Sequence, residues 1–340
     1  MLYLHGLGHF HPENVITNRF LEDLDIGTSN DWVLERVGIR ERRTSLSLAY
    51  IQETKNSDTR AAFEASSYTN AQTGAAAARQ ALAQAGIAPE DIGLVISGSS
   101  APDHVTPSEA ATVAAELEIE APCFDINAAC ATFGVQLSFL SKMRPETLPP
   151  YVLVVNPENL TRCIDYSDRN TAVLFGDGSA AAVVSATIPS RLHLLESDCA
   201  SKPASWQKAI IPRTGYFQQD GNAVQGFAIR KMTEAVRTFQ ETYEGRKDGE
   251  EDENGHNGNG RRLLFVGHQA NLSVLNTVCE RSAISDDRHW RNVTMFGNTG
   301  CSGAPAVVSQ HWQDLKSGDC LIMALVGAGL TWSTLMWQMS

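Results

Sequence analysis

Hydrophobic and polar positions along the chain fall into two alternating kinds of segment. Short runs that are almost entirely apolar, such as residues 92–100, are typical of strands buried on both faces of a sheet. Residues 75–85 form an alanine-rich helical pattern that ends at Gly86, and residues 223–243 repeat apolar side chains at helical spacing. Because helices alternate with fully apolar strands, the pattern predicts an α/β fold with helices on both faces of the sheet.

Two segments of the chain share a pattern of two strands about a glycine-rich turn. They are residues 171–186 and 320–338, and each lies near the end of one half of the sequence. The repetition suggests an internal duplication, with a first half at residues 1–188 and a second at residues 189–340. Residues 244–262 are polar and without periodicity, which favours a solvated surface loop over a metal or partner site.

The composition is that of an ordinary globular protein, and it narrows the range of partners. The 340 residues are 43% hydrophobic and 19% charged, and the formal net charge of −12 disfavours nucleic acid and anionic membrane surfaces. We expect no signal peptide and no membrane span, and hence a cytoplasmic location, because the sequence shows neither a basic leader nor a run of about 18 apolar residues. The seven cysteines are scattered and form no CxxC pair, so free thiols are expected. No metal-ligand pattern accompanies His5, His9 and His11.

Three residues with catalytic chemistry stand where an apolar strand gives way to a polar or glycine-rich turn. Cys130 precedes an apolar helix, whose N-terminal amides favour an anion and so stabilise a thiolate. His268 follows a buried strand, where it can act as a base or hydrogen-bond donor, and the amide of Asn298 can hold a carbonyl oxygen. Taken singly, each is also compatible with a structural role, as a buried cysteine, a core histidine or a turn asparagine. Residues 327–332 offer either a backbone N–H for an oxyanion or a hairpin bend.

Taken in order, these pieces and their flanking motifs resemble the β-ketoacyl-[acyl-carrier-protein] synthase III family of the thiolase superfamily. The resemblance covers nearly the whole chain, and its motifs lie at residues 6–18, 28–43, 124–133, 166–181, 267–271, 296–300 and 327–332. It implies a thiolase-like five-layered αβαβα sandwich of two duplicated halves, the first carrying the nucleophile and the second the histidine and asparagine. It also implies a homodimeric acyltransferase of fatty-acid or lipid metabolism that uses acyl-CoA as a substrate and needs no cofactor.

The resemblance assigns a role to each catalytic residue. It implies that Cys130 takes an acyl group from acyl-CoA, and that His268 and Asn298 bind the carbonyl of a malonyl thioester while CO₂ leaves. The resulting carbanion attacks the acyl-enzyme and gives a 3-oxoacyl product. The backbone N–H groups of Cys130 and Ala328 match the oxyanion hole of the family.

Three further residues match positions where the family holds the nucleotide portion of CoA. Trp32 would lie against the adenine, with Arg36 and Arg169 beside it. Aromatic stacking and arginine–phosphate pairing suit these residue types. The alternative is a surface tryptophan with ordinary solvated arginines.

The chain departs from the family pattern at positions that bear on its substrates. Thr106 replaces an aromatic residue that reaches across the dimer and closes the acyl pocket, so we expect a primer longer or bulkier than acetyl. Ser273, Glu280 and Arg281 stand where the family commonly has cations that dock an acidic carrier protein. The malonyl donor is therefore either a carrier protein or CoA. Ala328 replaces a glycine of the family turn, where only a backbone N–H is needed.

Other functions fit parts of the same pattern. A non-decarboxylating acyltransferase of the same fold would pass the acyl group to an alcohol or amine, but the intact His268 and Asn298 favour condensation. The complete Cys–His–Asn set argues against a catalytically silent subunit, and the flanking motifs argue against a cysteine hydrolase. The sequence leaves open the acyl primer and whether the pathway makes fatty acids or a specialised metabolite.

Overall fold

Thirteen strands form in the part of the chain that the computed structural model describes, residues 1–243 and 262–340. The loop expected at residues 244–262 lies outside the described residues, apart from Arg262. The strands are β1 (Tyr3–Phe10), β2 (Asn14–Thr17), β3 (Glu41–Thr44), β4 (Ile92–Ser97), β5 (Cys123–Asp125), β6 (Tyr151–Glu158), β7 (Gly178–Ser185), β8 (Leu192–Ser201), β9 (Ala209–Ile210), β10 (Gln218–Gln219), β11 (Leu263–Gly267), β12 (Cys320–Gly327) and β13 (Thr331–Met339).

Twelve α-helices form in the same two ranges, and α5 shows why they begin and end where they do. Thr69 and Gln72 form a capping box at its start, and Gly86 ends it in the left-handed conformation, as the sequence predicts. The helices are α1 (Asn18–Asp23), α2 (Asn30–Arg36), α3 (Leu48–Thr54), α4 (Thr59–Ala65), α5 (Asn70–Ala85), α6 (Glu109–Glu116), α7 (Thr132–Ser141), α8 (Arg169–Ala172), α9 (Gly221–Tyr243), α10 (Leu272–Ser282), α11 (Val293–Phe296) and α12 (Gly303–Gln310). None of these helices is long and apolar enough to cross a membrane.

Nine of the strands join in the order β11-β12-β13-β8-β1-β7-β6-β4-β5. Strands β4, β5 and β6 run parallel, as do β11 and β12, while the other neighbours are antiparallel. The first-half strands meet the second-half strands between β1 and β8, where Tyr3 pairs with His193 and Leu4 with Leu192. The two half-sheets are therefore joined through a narrow seam.

The two half-sheets and three layers of helices form a stack of five layers. Helices α5 and α6 cover the outer face of the first half, and α9 packs on the outer face of the second half with α10 against it. Helices α7 and α12 lie between, because α7 contacts strands of both halves and α12 contacts β1, β7 and β11. The central core that they share includes the fully buried side chains of Leu137, Val307 and Trp337. This αβαβα stacking confirms the predicted fold class.

One predicted hairpin is wrong, and its counterpart is right. Residues 320–338 form the antiparallel pair β12–β13, but residues 171–186 contain the end of α8, a turn and the single strand β7. The glycine-flanked Asp177 precedes β7 and does not join two strands. Its buried carboxylate holds the turn to other parts of the chain, because it accepts hydrogen bonds from the N–H and hydroxyl groups of Ser45 and Thr161 at 2.7–2.8 Å. The boundary between residues 188 and 189 stays a prediction.

Candidate active site

A left-handed turn presents Cys130 at the start of α7. Ala129 has a φ of +50°, and its N–H donates to Asn127 Oδ1 at 2.8 Å. The hydroxyl of Thr132 accepts from the N–H of Ala128 at 2.8 Å and donates to the carbonyl of Ala129 at 2.6 Å. Two side chains therefore hold a backbone conformation that residues other than glycine rarely adopt.

The last residue of β12, Gly327, lies directly against the turn that carries Cys130. A Cβ added to Gly327 would lie 2.6 Å from the carbonyl oxygen of Ala128 and 2.9 Å from the amide nitrogen of Cys130. The absence of a side chain at Gly327 therefore permits this approach. Ala328, the residue after Gly327, lines the same cavity as Cys130.

His268 and Asn298 line the same cavity from the second half of the chain. His268 follows β11 directly and is 6% exposed, and burial lowers the pKa of its imidazole to about 4. The ring is therefore neutral at neutral pH, with one nitrogen that donates and one that accepts. Asn298 Oδ1 accepts the N–H of Gly300 at 3.0 Å, which identifies the oxygen and leaves the amide NH₂ as the group to donate elsewhere.

The surroundings of Cys130 disfavour its thiolate. The residue is half-buried, and removal of its thiol from water, with the charge of Glu158 adding to it, raises the pKa of the thiol to about 12. The sequence predicted a stabilised thiolate at the helix N-terminus, and this prediction is wrong. The free-energy cost of removing a thiolate from water exceeds the stabilisation that the nearby amides provide. The thiol is therefore protonated at neutral pH, and its reaction needs a base.

Glu158 is a buried carboxyl group behind the site that the sequence reasoning missed. Its oxygens accept from the N–H of Ser100 at 3.1 Å, the hydroxyl of Ser100 at 2.9 Å and the thiol of Cys301 at 3.0 Å. Ser100 also lines the cavity. An acidic residue at the end of a largely apolar strand, β6, is the sequence signal that could have identified it.

The cavity has a volume of about 810 Å³ and is large enough for a substrate of considerable size. Apolar side chains such as Leu160, Phe175 and Phe217 line part of it. Amide side chains, among them Asn222 and Asn271, line another part, and neither was identified from the sequence. Within residues 1–243 and 262–340, no group of three or more histidine, cysteine or acidic side chains is arranged to hold a metal ion.

The three residues expected to hold CoA come together beside this cavity. The guanidinium carbons of Arg36 and Arg169 lie 5.2 Å and 5.0 Å from the ring centroid of Trp32. Arg169 also donates to the carbonyl of Gly27 at 2.5 Å. Val37, which follows α2, and the neighbours of Arg169 line the cavity, so the stacked group stands next to its wall.

Thr106 is not part of the cavity within one chain. It lies in the exposed segment between β4 and α6, which also contains Val105 at 74% exposure. Ser273 lies at the start of α10, where its hydroxyl donates to the carbonyl of Arg36 at 2.9 Å. Ser273 therefore joins α10 to the helix that carries Trp32.

The sandwich fold, with a cysteine, a histidine and an asparagine at one cavity, defines the class as the condensing acyltransferases of the thiolase superfamily. Models described as 3-oxoacyl-[acyl-carrier-protein (ACP)] synthase III and its C-terminal part match residues 124–203 and 263–339. The β-ketoacyl-[acyl-carrier-protein] synthase III of Aquifex aeolicus is 30% identical over 334 residues, which cover 97% of each chain. That of Oceanobacillus iheyensis is 30% identical over 96% of this chain and 95% of its own. The chain belongs to the β-ketoacyl-[acyl-carrier-protein] synthase III family.

Solved structures agree with this membership. The crystal structure of the 3-oxoacyl-[acyl-carrier-protein] synthase III from Aquifex aeolicus superimposes with a TM-score of 0.83 at 28% identity, covering 99% of this chain and 100% of that one. The corresponding enzyme of Pseudomonas aeruginosa gives a TM-score of 0.81 at 26% identity over 99% and 98% of the two chains. The protein is therefore similar to these enzymes over nearly its whole length.

Proposed function

We propose that this protein loads an acyl group from acyl-CoA onto Cys130 and condenses it with a malonyl thioester, with loss of CO₂, to give a 3-oxoacyl product. The observation that carries the proposal is that Cys130, His268, Asn298 and Ala328 line one cavity. The family membership supports the same reaction type.

The first step is transfer of the acyl group to sulfur. Because burial keeps the Cys130 thiol protonated, His268 accepts its proton as the sulfur attacks the thioester carbonyl. The backbone N–H groups of Cys130 and Ala328 stabilise the oxyanion of the tetrahedral intermediate. The carbon–sulfur bond to CoA then breaks, and the leaving CoA thiolate takes the proton from the imidazolium.

The second step is decarboxylation and carbon–carbon bond formation. The carbonyl oxygen of a malonyl thioester accepts hydrogen bonds from the amide NH₂ of Asn298 and the N–H of neutral His268. These donors stabilise the enolate that forms as CO₂ leaves. The α-carbon then attacks the acyl carbonyl, and the carbon–sulfur bond to Cys130 breaks to return the thiolate, which takes up one proton from solvent.

The substrates and the assembly are part of the same proposal. The stack of Arg36, Trp32 and Arg169 supports binding of the adenine nucleotide of CoA, and the malonyl group arrives on CoA or on a carrier protein.

A homodimer along the edge strand β5 is supported by the exposed side chains of Phe124 and Phe139 at 41% and 48%. In that dimer Thr106 would border the acyl pocket of the partner and admit a primer longer than acetyl. Free cysteines suit a reducing cytoplasm.

Mass spectrometry of the intact protein tests the proposal. The wild type and Cys130→Ala are incubated with acyl-CoA thioesters of increasing length, then with malonyl-CoA or a malonyl-carrier protein. We expect acylation of the wild type at Cys130, release of CO₂ and a 3-oxoacyl product, and none of these acyl products from the variant. Acylation without CO₂ release would instead support the non-decarboxylating transfer to an alcohol or amine. Product formation by Cys130→Ala would overturn the assignment of the nucleophile.

A further inference from the structure

Four polar side chains form a buried cluster beneath the exposed segment 102–108, away from the cavity. They are Asn70 on α5, Asp103 on the segment, Glu109 at the start of α6 and Arg162, which follows β6. Asn70, Glu109 and Arg162 are at most 2% exposed, and the side chain of Asp103 is 9% exposed. A cluster this deeply buried fixes the segment only while its charges and hydrogen bonds are matched.

The cluster contains two carboxyl groups and one cation. Arg162 Nη1 pairs with Asp103 Oδ1 at 2.6 Å, and Arg162 Nη2 donates to Asn70 Oδ1 at 3.0 Å. The backbone N–H of Asn70 donates to Asp103 Oδ2 at 2.7 Å. Glu109 Oε2 accepts from Asn70 Nδ2 at 2.5 Å and from the N–H of Asp103 at 3.2 Å. Arg162 therefore neutralises Asp103 directly, while Glu109 is held by neutral donors.

The groups around Glu109 favour its neutral form. Burial raises the pKa of Glu109 to about 7, and the charge of Asp103 acts in the same direction, against the hydrogen bond from Asn70 and the charge of Arg162. The other charged groups packed nearby are acidic. Asp125 on β5 accepts the N–H groups of Glu109 and Ala110, and Glu158 accepts from Ser99, whose hydroxyl also meets Asn70.

The same hydrogen bonds lead from the cluster to the nucleophile turn. Asn70 Nδ2 donates to the hydroxyl of Ser99 at 3.3 Å, and the carbonyl of Ser99 accepts from Asn127 Nδ2 at 2.7 Å. Asn127 in turn accepts the N–H of Ala129, the residue before Cys130. The chain from Ser99 to Glu109 is thus fixed to the site at one end and to the buried cluster at the other.

We infer that Asn70, Asp103, Glu109 and Arg162 form a protonation-controlled anchor, in which Glu109 is the positioning residue that sets the conformation of segment 102–108 and the acyl chain the enzyme accepts. While Glu109 is neutral, segment 102–108 keeps the conformation seen in the structure, which we call closed. Ionised Glu109 places a second negative charge beside Asp103 and favours an open conformation, in which the hydrogen bonds of the cluster are broken. The part concerning the acyl chain rests on the proposed function, because Thr106 lies on this segment.

Hydrogen exchange of the segment tests the anchor without reference to catalysis. With a pKa of about 7 in the closed segment and the ordinary 4.5 in the open one, opening should increase about tenfold between about pH 6 and about pH 8.5, after correction for intrinsic exchange. Glu109→Gln, which is neutral at both pH values, should show no such increase. The control Glu116→Gln, at an exposed position on the same helix, should behave as the wild type.

The wild-type titration decides the question even if Glu109→Gln does not fold. A wild-type segment whose opening is independent of pH overturns the anchor, and so does a pH response that persists in Glu109→Gln.

Acylation of Cys130 tests the effect on substrate choice. The ratio of octanoyl-CoA to acetyl-CoA acylation should change severalfold between the two pH values in the wild type and in Glu116→Gln, and stay constant in Glu109→Gln. If exchange responds to pH but the ratio does not, the link to acyl selection is wrong. If no CoA thioester acylates Cys130, the proposed function fails, while the exchange data still decide whether the anchor exists.

Discussion

Replacing Gly327 by alanine probes the contact between the two turns that meet at Cys130. An ideal Cβ at this position would lie 2.6 Å from the carbonyl oxygen of Ala128, 2.8 Å from the amide nitrogen of Ala131 and 2.9 Å from that of Cys130. All three are backbone atoms, so no side-chain rotation can relieve the overlap. Either the turn after β12 or the turn that carries Cys130 must move.

The size of the effect follows from what these turns do. Overpacking a tight site costs roughly 1–3 kcal/mol of folding free energy. Loss of one oxyanion donor lowers a rate by about 10²–10³-fold. Because the displaced backbone carries both proposed donors, we expect acylation of Cys130 in Gly327→Ala to fall by about 100-fold or more. The melting temperature should fall by only a few degrees.

The assay measures the rate of acyl-enzyme formation by mass spectrometry, together with thermal unfolding. Gly226→Ala on α9 is the matched control, because a Cβ there meets nothing within 4 Å. Alanine in a helix is favoured over glycine by roughly 0.5–1 kcal/mol, so this variant should be slightly stabilised and fully active. An acylation rate in Gly327→Ala within about threefold of the wild type would refute the close-approach reasoning, since displaced donors cost far more.

Three other predictions concern the substrate and the pH dependence. Trp32→Ala should raise the KM for acyl-CoA by about tenfold with little change in kcat, because base stacking on an aromatic ring is worth about 1–3 kcal/mol; an unchanged KM in steady-state kinetics would contradict the stacking role. Thr106→Phe should shift the relative kcat/KM toward acetyl-CoA and away from medium-chain acyl-CoA, and a clear acetyl preference in the wild type would already refute the expectation. His268, with its pKa lowered to about 4, stays neutral as the pH falls from 9 to about 5. Malonyl decarboxylation by Glu109→Gln, which lacks the carboxyl group expected to titrate near pH 7, should therefore show no inflection near the ordinary histidine pKa of about 6.5 over that range, and an inflection there would show that burial does not lower the pKa of His268.

Local pattern was sufficient for elements whose stability is local or fully apolar. Strand β6 runs from Tyr151 to Glu158, as predicted, because every side chain after the first is buried. The end of α5 at Gly86 was equally predictable from its left-handed cap. The turn at Asp177 was not, because its hydrogen-bond partners Ser45 and Thr161 lie on other elements.

The site divides along the same line. The order of motifs led to Cys130, His268 and Asn298, which line one cavity, and family membership was recognisable from the same motifs. The buried cluster around Glu109 left no local signature, because its hydrogen-bonded side chains come from positions 39 to 92 residues apart. The sequence wrongly predicted a low pKa for Cys130, because the burial of the thiol and its proximity to Glu158 arise only in the folded molecule.

Because the seam between the half-sheets is narrow, the activity of the site should depend on the relative position of the two halves. Cys130 lies in the turn between β5 and α7 in the first half, and His268 and Asn298 lie in the turns after β11 and α11 in the second. The direct strand pairing between the halves involves Tyr3, Leu4 and their two partners, so the middle helices α7 and α12 carry most of the docking. A small slip of that middle layer would separate sulfur from imidazole while every strand remained hydrogen-bonded. Activity should therefore be lost before secondary structure when the interior is loosened.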